Sequence, residues 1–130
     1  MTPFTRVHLT DLDDMAPKFG FGDVHEARFA AKALECEQTA LMYLRIKPGQ
    51  RGFSHHHEVQ EELYVVLAGS GTAFLDEQEV ALGALDAIRV AAGTERAFAA
   101  GDDGMDLLAF GAPAVSDGRN DAVMGAGASS

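Results

Sequence analysis

The chain has 130 residues, 47% of them hydrophobic and 23% charged, ordinary proportions for one globular domain. Ten Lys and Arg against twenty Asp and Glu leave a formal charge of −10, which argues against nucleic acid or an anionic membrane surface as a partner. A single cysteine, Cys36, excludes an intrachain disulfide and reads as a buried, inert thiol.

The first residues mix Arg6, His8 and three aspartates (Asp11, Asp13, Asp14) among apolar ones, so no secretory leader is expected. No apolar run approaches the ~20 residues a membrane span needs, and the expected location is the cytoplasm. Glu26 to Leu34 is Ala-rich with Glu and Lys, and suits a helix as well as an edge strand crossing to a partner subunit. From Ala40 onward, short strands alternate with turn signals about every 8 to 12 residues, the pattern of an all-β sandwich or barrel. Ala40, Met42, Leu44 and Ile46 share one face of a strand that Pro48-Gly49 ends. Phe53–His57 and Glu62–Ala68 follow, and Gly69-Ser70-Gly71 is expected to turn the chain into Thr72–Leu75. A hairpin tip at Asp76-Glu77-Gln78 leads to Val80–Leu82, then to Ala87–Val90. After the Gly93-Thr94 turn come Arg96–Ala99, the Gly101–Gly104 turn and a last strand, Met105–Phe110. Beyond Gly111 the chain is rich in Gly, Ala and Ser, the composition of a mobile tail.

The run His55-His56-His57 is the strongest local signal. On a strand, positions i and i+2 share a face, so His55 and His57 point together while His56 looks outward. Two imidazoles with a carboxylate from Glu61 or Glu62 form a set suited to Fe, Mn, Ni or Zn. His8 and His25 have no partner nearby in sequence and are not expected at this site.

From Gly49 to Gly69 the chain resembles the first motif of the cupin superfamily: Gly49, five residues, His55, one, His57, four, Glu62, six, Gly69. The resemblance implies an all-β, double-stranded β-helix (jelly-roll) barrel over 40–111. An N-terminal extension (1–39) would pack on the barrel, and a C-terminal tail (112–130) would follow it. It also selects Glu62 over Glu61, and implies a divalent transition metal (Fe, Mn, Ni or Zn) on His55, His57 and Glu62. Dioxygenase, isomerase and decarboxylase chemistry all occur on this fold, as does binding without turnover, so fold alone does not choose.

The superfamily's second motif is mostly lost. Aligned on Gly93, the chain has Leu85, Ala91 and Ala100 at three of its positions, and Arg96 stands where a fourth ligand histidine is usual. Arginine cannot ligate a metal, being protonated and without an acceptor. Three arrangements follow. Arg96 can turn away from a bound metal, face inward to hold an anionic small-molecule ligand, or pair with Glu62 in a metal-free barrel. Tyr64, at i+2 from Glu62, and Phe98, at i+2 from Arg96, are expected to line the same cavity as ligand-binding residues. Leu63, Val65 and Leu67 occupy the alternate face and are also apolar. Either the chain's own amino-terminal segment or a partner subunit must cover them, and a homodimer, common among small cupins, is the expected arrangement.

Overall fold

A computed structural model describes residues 3–114 and 122–124. Eight strands form one curled antiparallel sheet: β1 (His25–Phe29), β2 (Ala40–Ile46), β3 (His55–His57), β4 (Glu61–Leu75), β5 (Gln78–Gly83), β6 (Ala87–Val90), β7 (Arg96–Ala112) and β8 (Ala122–Met124). The described helix is confined to two 3-10 turns, Leu9–Asp11 and Pro17–Phe19. The path runs β1-β2-β7-β3-β8, while β4 pairs with β5, β6 and β7. This is the double-stranded β-helix that the motif spacing implies.

Glu26–Leu34 resolves as strand only as far as Phe29. His25 and Ala27 turn inward while Glu26 and Arg28 stay on the other face, a period of two that no amphipathic helix has. The pairing partner is β2 of the same chain, with Ala27 opposite Leu44. Outside, Arg28 meets Glu26 at 2.8 Å and Arg45 meets Asp106 at 3.3 Å. Cys36, expected buried, is half-buried and free.

Gly69-Ser70-Gly71 does not turn the chain. β4 runs unbroken through it with two register shifts, and β7 likewise continues past Gly101–Gly104. Gly71 pairs with Ala100 and Gly69 with Met105, so the four residues 101–104 form a bulge within one long strand. The glycines permit the close approach of the two strands. Gly69 has φ +78°, and a Cβ there would lie 2.1 Å from the Gly104 carbonyl oxygen. Local sequence marks a glycine pair as flexible, but only the partner strand decides between turn and bulge.

Inside the barrel, Ile46, Tyr64, Val66, Val90, Phe98, Met105 and Leu107 form the buried core. On the opposite face Leu63 and Leu67 remain 46% and 42% exposed, beside Phe110. Among the described residues nothing covers this face. Part of the expected mobile tail, residues 115–121 and 125–130, lies outside the described residues. Its Ala122–Met124 stretch forms β8 and pairs with β3.

Alanine at Gly69 forces both a strained φ and a backbone collision, whereas at Gly49 (φ +70°) nothing lies within 4 Å of an added Cβ. Gly69→Ala is therefore expected to lower the melting temperature by on the order of 10 °C. Gly49→Ala, with strain alone, should cost only about 1–2 kcal/mol. Thermal unfolding of the two variants checks the order, and equal effects would contradict the packing argument.

Candidate functional site

β3 is only three residues long, so its position depends on what holds it. It pairs with β8 along its length and with β7 only through His55 opposite Arg96. The β6–β7 turn supplies the rest. The Gly93 amide donates to the His57 carbonyl at 2.7 Å. The Glu95 carboxylate accepts from Ser54 Oγ at 2.7 Å and contacts His56 Nδ1 at 3.1 Å. His56 thus faces out and anchors the strand, as alternation requires, while His55 and His57 face in.

Glu62, at the start of β4, completes the expected trio. One ligand atom from each of His55, His57 and Glu62 lies within 4.8 Å of the other two. By residue type and separation this cluster is compatible with a divalent transition metal. Glu62 is nonetheless already engaged. Its Oε1 lies 3.1 Å from His57 Nε2 and 2.9 Å from Arg96 Nη1, and it accepts the Tyr64 hydroxyl proton.

Arg96 is fully buried, and its donors are spent locally. Nη1 goes to Glu62; Nε and Nη2 reach the Thr94 carbonyl at 3.2 and 2.9 Å, and Nη2 reaches the Ala91 carbonyl at 3.2 Å. The Arg96 side chain thus points inward and pairs with Glu62 rather than turning away from it. A divalent ion on Glu62 would sit within a few ångströms of a fixed guanidinium. Even at an effective dielectric of about 20, that repulsion amounts to several kcal/mol.

The electrostatics follow from this pairing. Burial alone would raise the Glu62 carboxyl, but hydrogen bonds from His57 and Tyr64 and the charges of His57 and Arg96 outweigh it, leaving the pKa lowered. Burial and then the neighbouring His57 push His55 down to about 4, so it is a neutral imidazole at physiological pH. Its Nδ1 is buried without a hydrogen-bond partner. Burial and the Glu62 charge raise Tyr64 far above its ordinary range, which keeps it a donor.

Beside this cluster lies a cavity of about 430 Å³. Tyr64 and Phe98 line it, with ring centroids 4.5 Å apart, and so does His55. Arg96, His57 and Glu62 are not in its wall. Glu62 instead borders a second pocket of about 90 Å³ with Gln60 and Lys32. The large cavity also takes in His25, a residue without an obvious sequence partner. The signal for it was the alternation that places His25 with Ala27 on the inner face of β1. His8 is exposed and bonds only Thr10, at 2.8 Å.

Two outcomes follow for stability. Arg96→Met leaves Glu62 buried without its cation and should cost about 3–5 kcal/mol. Adding Glu62→Gln should recover part of that loss in denaturant unfolding, whereas simple additivity would show the pair uncoupled. On acidification, the unfolded chain protonates His55 near its ordinary 6.5 while the folded chain resists until about 4. The cost is therefore absent above pH 6.5, grows as pH falls through that window and is complete below about 4, reaching about 3 kcal/mol. The lowered Glu62 acts with the same sign at lower pH, its contribution being lost as pH falls below the ordinary 4.5. His55→Gln should flatten the upper limb of the stability–pH curve; an unchanged limb would mean another group sets it.

The sequence profile of the cupin domain family matches residues 42–111. No curated protein matches the chain by sequence. Among solved structures, a Bacteroides fragilis cupin protein is 21% identical, with a TM-score of 0.70 over 89% of each chain. A variant of a Streptomyces nucleoside dehydratase, solved with uridine, is 16% identical with a TM-score of 0.73 over 96% of this chain and 92% of that one. Bacillus subtilis oxalate decarboxylase is 19% identical with a TM-score of 0.73, and the match spans 87% of this chain but 31% of that larger protein. Identities this low speak for the fold alone. The profile match over more than half of the sequence, with the barrel topology and the Gly49–Gly69 motif, shows that the chain belongs to the cupin family.

Proposed function

We propose that this protein is a small-molecule-binding cupin in which the Glu62–Arg96 ion pair takes the place of a metal ion. The ligand occupies the aromatic cavity beside His55 and Tyr64. The observation that carries this reading is the buried guanidinium 2.9 Å from the carboxylate that a metal would need. With Arg96 in place the pair is neutral overall, and a dication there would add two uncompensated charges to a largely dry site. His55 offers the ligand a neutral ring with both donor and acceptor capacity. Tyr64 lends its ring to the wall, while its hydroxyl is held by Glu62. The Streptomyces nucleoside dehydratase variant solved with uridine lends support, since it is a β-barrel of similar length solved with a small organic ligand.

The separation of the His55, His57 and Glu62 ligand atoms favours a second reading, in which these residues hold Fe, Mn, Ni or Zn once Arg96 is displaced. Such an ion would activate dioxygen or polarise a carbonyl, as dioxygenases and isomerases require. An oxalate decarboxylase relative described with Mn(II) centres is consistent with it. The protein's own residues would then bind the ion through two imidazoles and one carboxylate, and Arg96 would need a new anionic partner.

Elemental analysis and Zn(II) and Mn(II) titration of wild type, Arg96→His and Arg96→His/His57→Ala separate the two readings. Well under one equivalent is expected in wild type, rising to about one in Arg96→His and lost again in the double variant. About one equivalent in wild type, abolished by His57→Ala, would establish the metal reading instead.

A further inference from the structure

Resting on the cavity reading above, we propose that the ligand is an uncharged, planar aromatic molecule with one hydrogen-bonding group, and that His25 determines specificity for that group. Among the described residues, the cavity wall contains no Asp, Glu, Lys or Arg. The nearest buried cation, Arg96, spends its donors on Glu62 and two backbone carbonyls. An anion entering this space would shed its hydration with no counter-charge to meet it, which is strongly unfavourable. The wall is instead built of rings. Phe21 and Phe53 lie 4.9 Å apart, Phe53 and His55 5.1 Å, and Tyr64 and Phe98 4.5 Å. Offset and tilted rings at these separations favour a flat aromatic guest. At about 30 Å³ per water, 430 Å³ equals roughly fourteen waters, enough for a fused two-ring molecule with one substituent.

The polar side chains of this wall, among the described residues, are His25, His55 and Tyr64. The Tyr64 hydroxyl is committed to Glu62, and His55, a neutral ring that also offers the guest an unpartnered Nδ1, sits against His57 at 5.0 Å beside the Glu62–Arg96 pair. His25 stands apart from both. It is 3% exposed, its ring lies nearly parallel to Phe21 (13° between planes, centroids 5.6 Å), and its Nδ1 has no hydrogen-bond partner. A buried imidazole left incompletely bonded is costly for folding alone, and a guest that pairs with it offsets that cost. The stack on Phe21 fixes the ring plane, so the hydrogen-bond direction is set before a ligand arrives. A site of this kind binds a hydroxyl-bearing aromatic and discriminates against the same ring without it, because an apolar analogue leaves the imidazole unpaired.

The test is calorimetric titration of wild type, His25→Phe and His25→Gln with 2-naphthol, naphthalene and 2-naphthoate, each variant first checked by thermal melting. Wild type should bind 2-naphthol at least about tenfold tighter than naphthalene, and 2-naphthoate at least about tenfold weaker than 2-naphthol. In His25→Phe the hydroxyl preference should shrink to about threefold or less with naphthalene affinity kept, and His25→Gln should retain part of it. Should His25→Phe fail to melt cooperatively, His25→Gln carries the comparison: a reduced preference supports the assignment and a full one refutes it. Hydroxyl preference surviving in His25→Phe would overturn the role of His25, and tighter binding of 2-naphthoate would overturn the uncharged ligand. Either result leaves the cavity reading standing. No binding of any of the three probes to wild type would sink both.

Discussion

The ion pair between Arg96 and Glu62 joins the first residue of β7 to the first turn of β4 inside a nearly dry barrel. Neither charge is tolerable there alone, so each fixes the other's position. Glu62 gathers the Tyr64 hydroxyl and His57 about the same oxygen that takes Arg96. Arg96 gathers two carbonyls of the β6–β7 turn, and that turn in turn holds β3 through Gly93 and Glu95. The placement of His55 and His57 therefore depends on a contact made by neither. Once these charges are balanced within the pair, the adjoining cavity needs no charged group of its own.

Two environments consequently sit side by side. One is a compact polar knot of His57, Glu62 and Arg96; the other is an aromatic chamber reaching from β1 to β8. Tyr64 belongs to both, with its hydroxyl in the knot and its ring against Phe98. His55 also touches both, its ring 5.0 Å from His57 and 5.1 Å from Phe53.

Much of this was legible in the sequence, for reasons that differ by element. β2 and β6 begin and end where alternation and the flanking turn residues place them, because both signals are local. The His55, His57, Glu62 trio follows from strand periodicity and motif spacing, and it converges as required. The direction of Arg96 was not legible. Its position faces the barrel interior in any register, but the choice among metal, anion and Glu62 depends on where two distant carbonyls lie. The Gly69–Gly71 bulge and the β3–β8 pairing were hidden for a related cause: each is decided by a partner strand far along the chain. His25 was overlooked because its neighbours in sequence, Glu26 and Arg28, are outward and charged, and only the inner face of β1 places it in the cavity wall.

Arg96 also closes the turn that precedes it, since its guanidinium holds the Ala91 and Thr94 carbonyls. A histidine at this position is too short to collect both oxygens, and they would have to find other donors or water. Exchange between a four-ligand metal barrel and this one is thus not a single-residue step along an evolutionary path. The loop ahead of the exchanged residue must be rewritten with it, because its Ala91 and Thr94 carbonyls are satisfied by the arginine. The two forms of the barrel are separated less by the ligand itself than by the loop that each ligand can support.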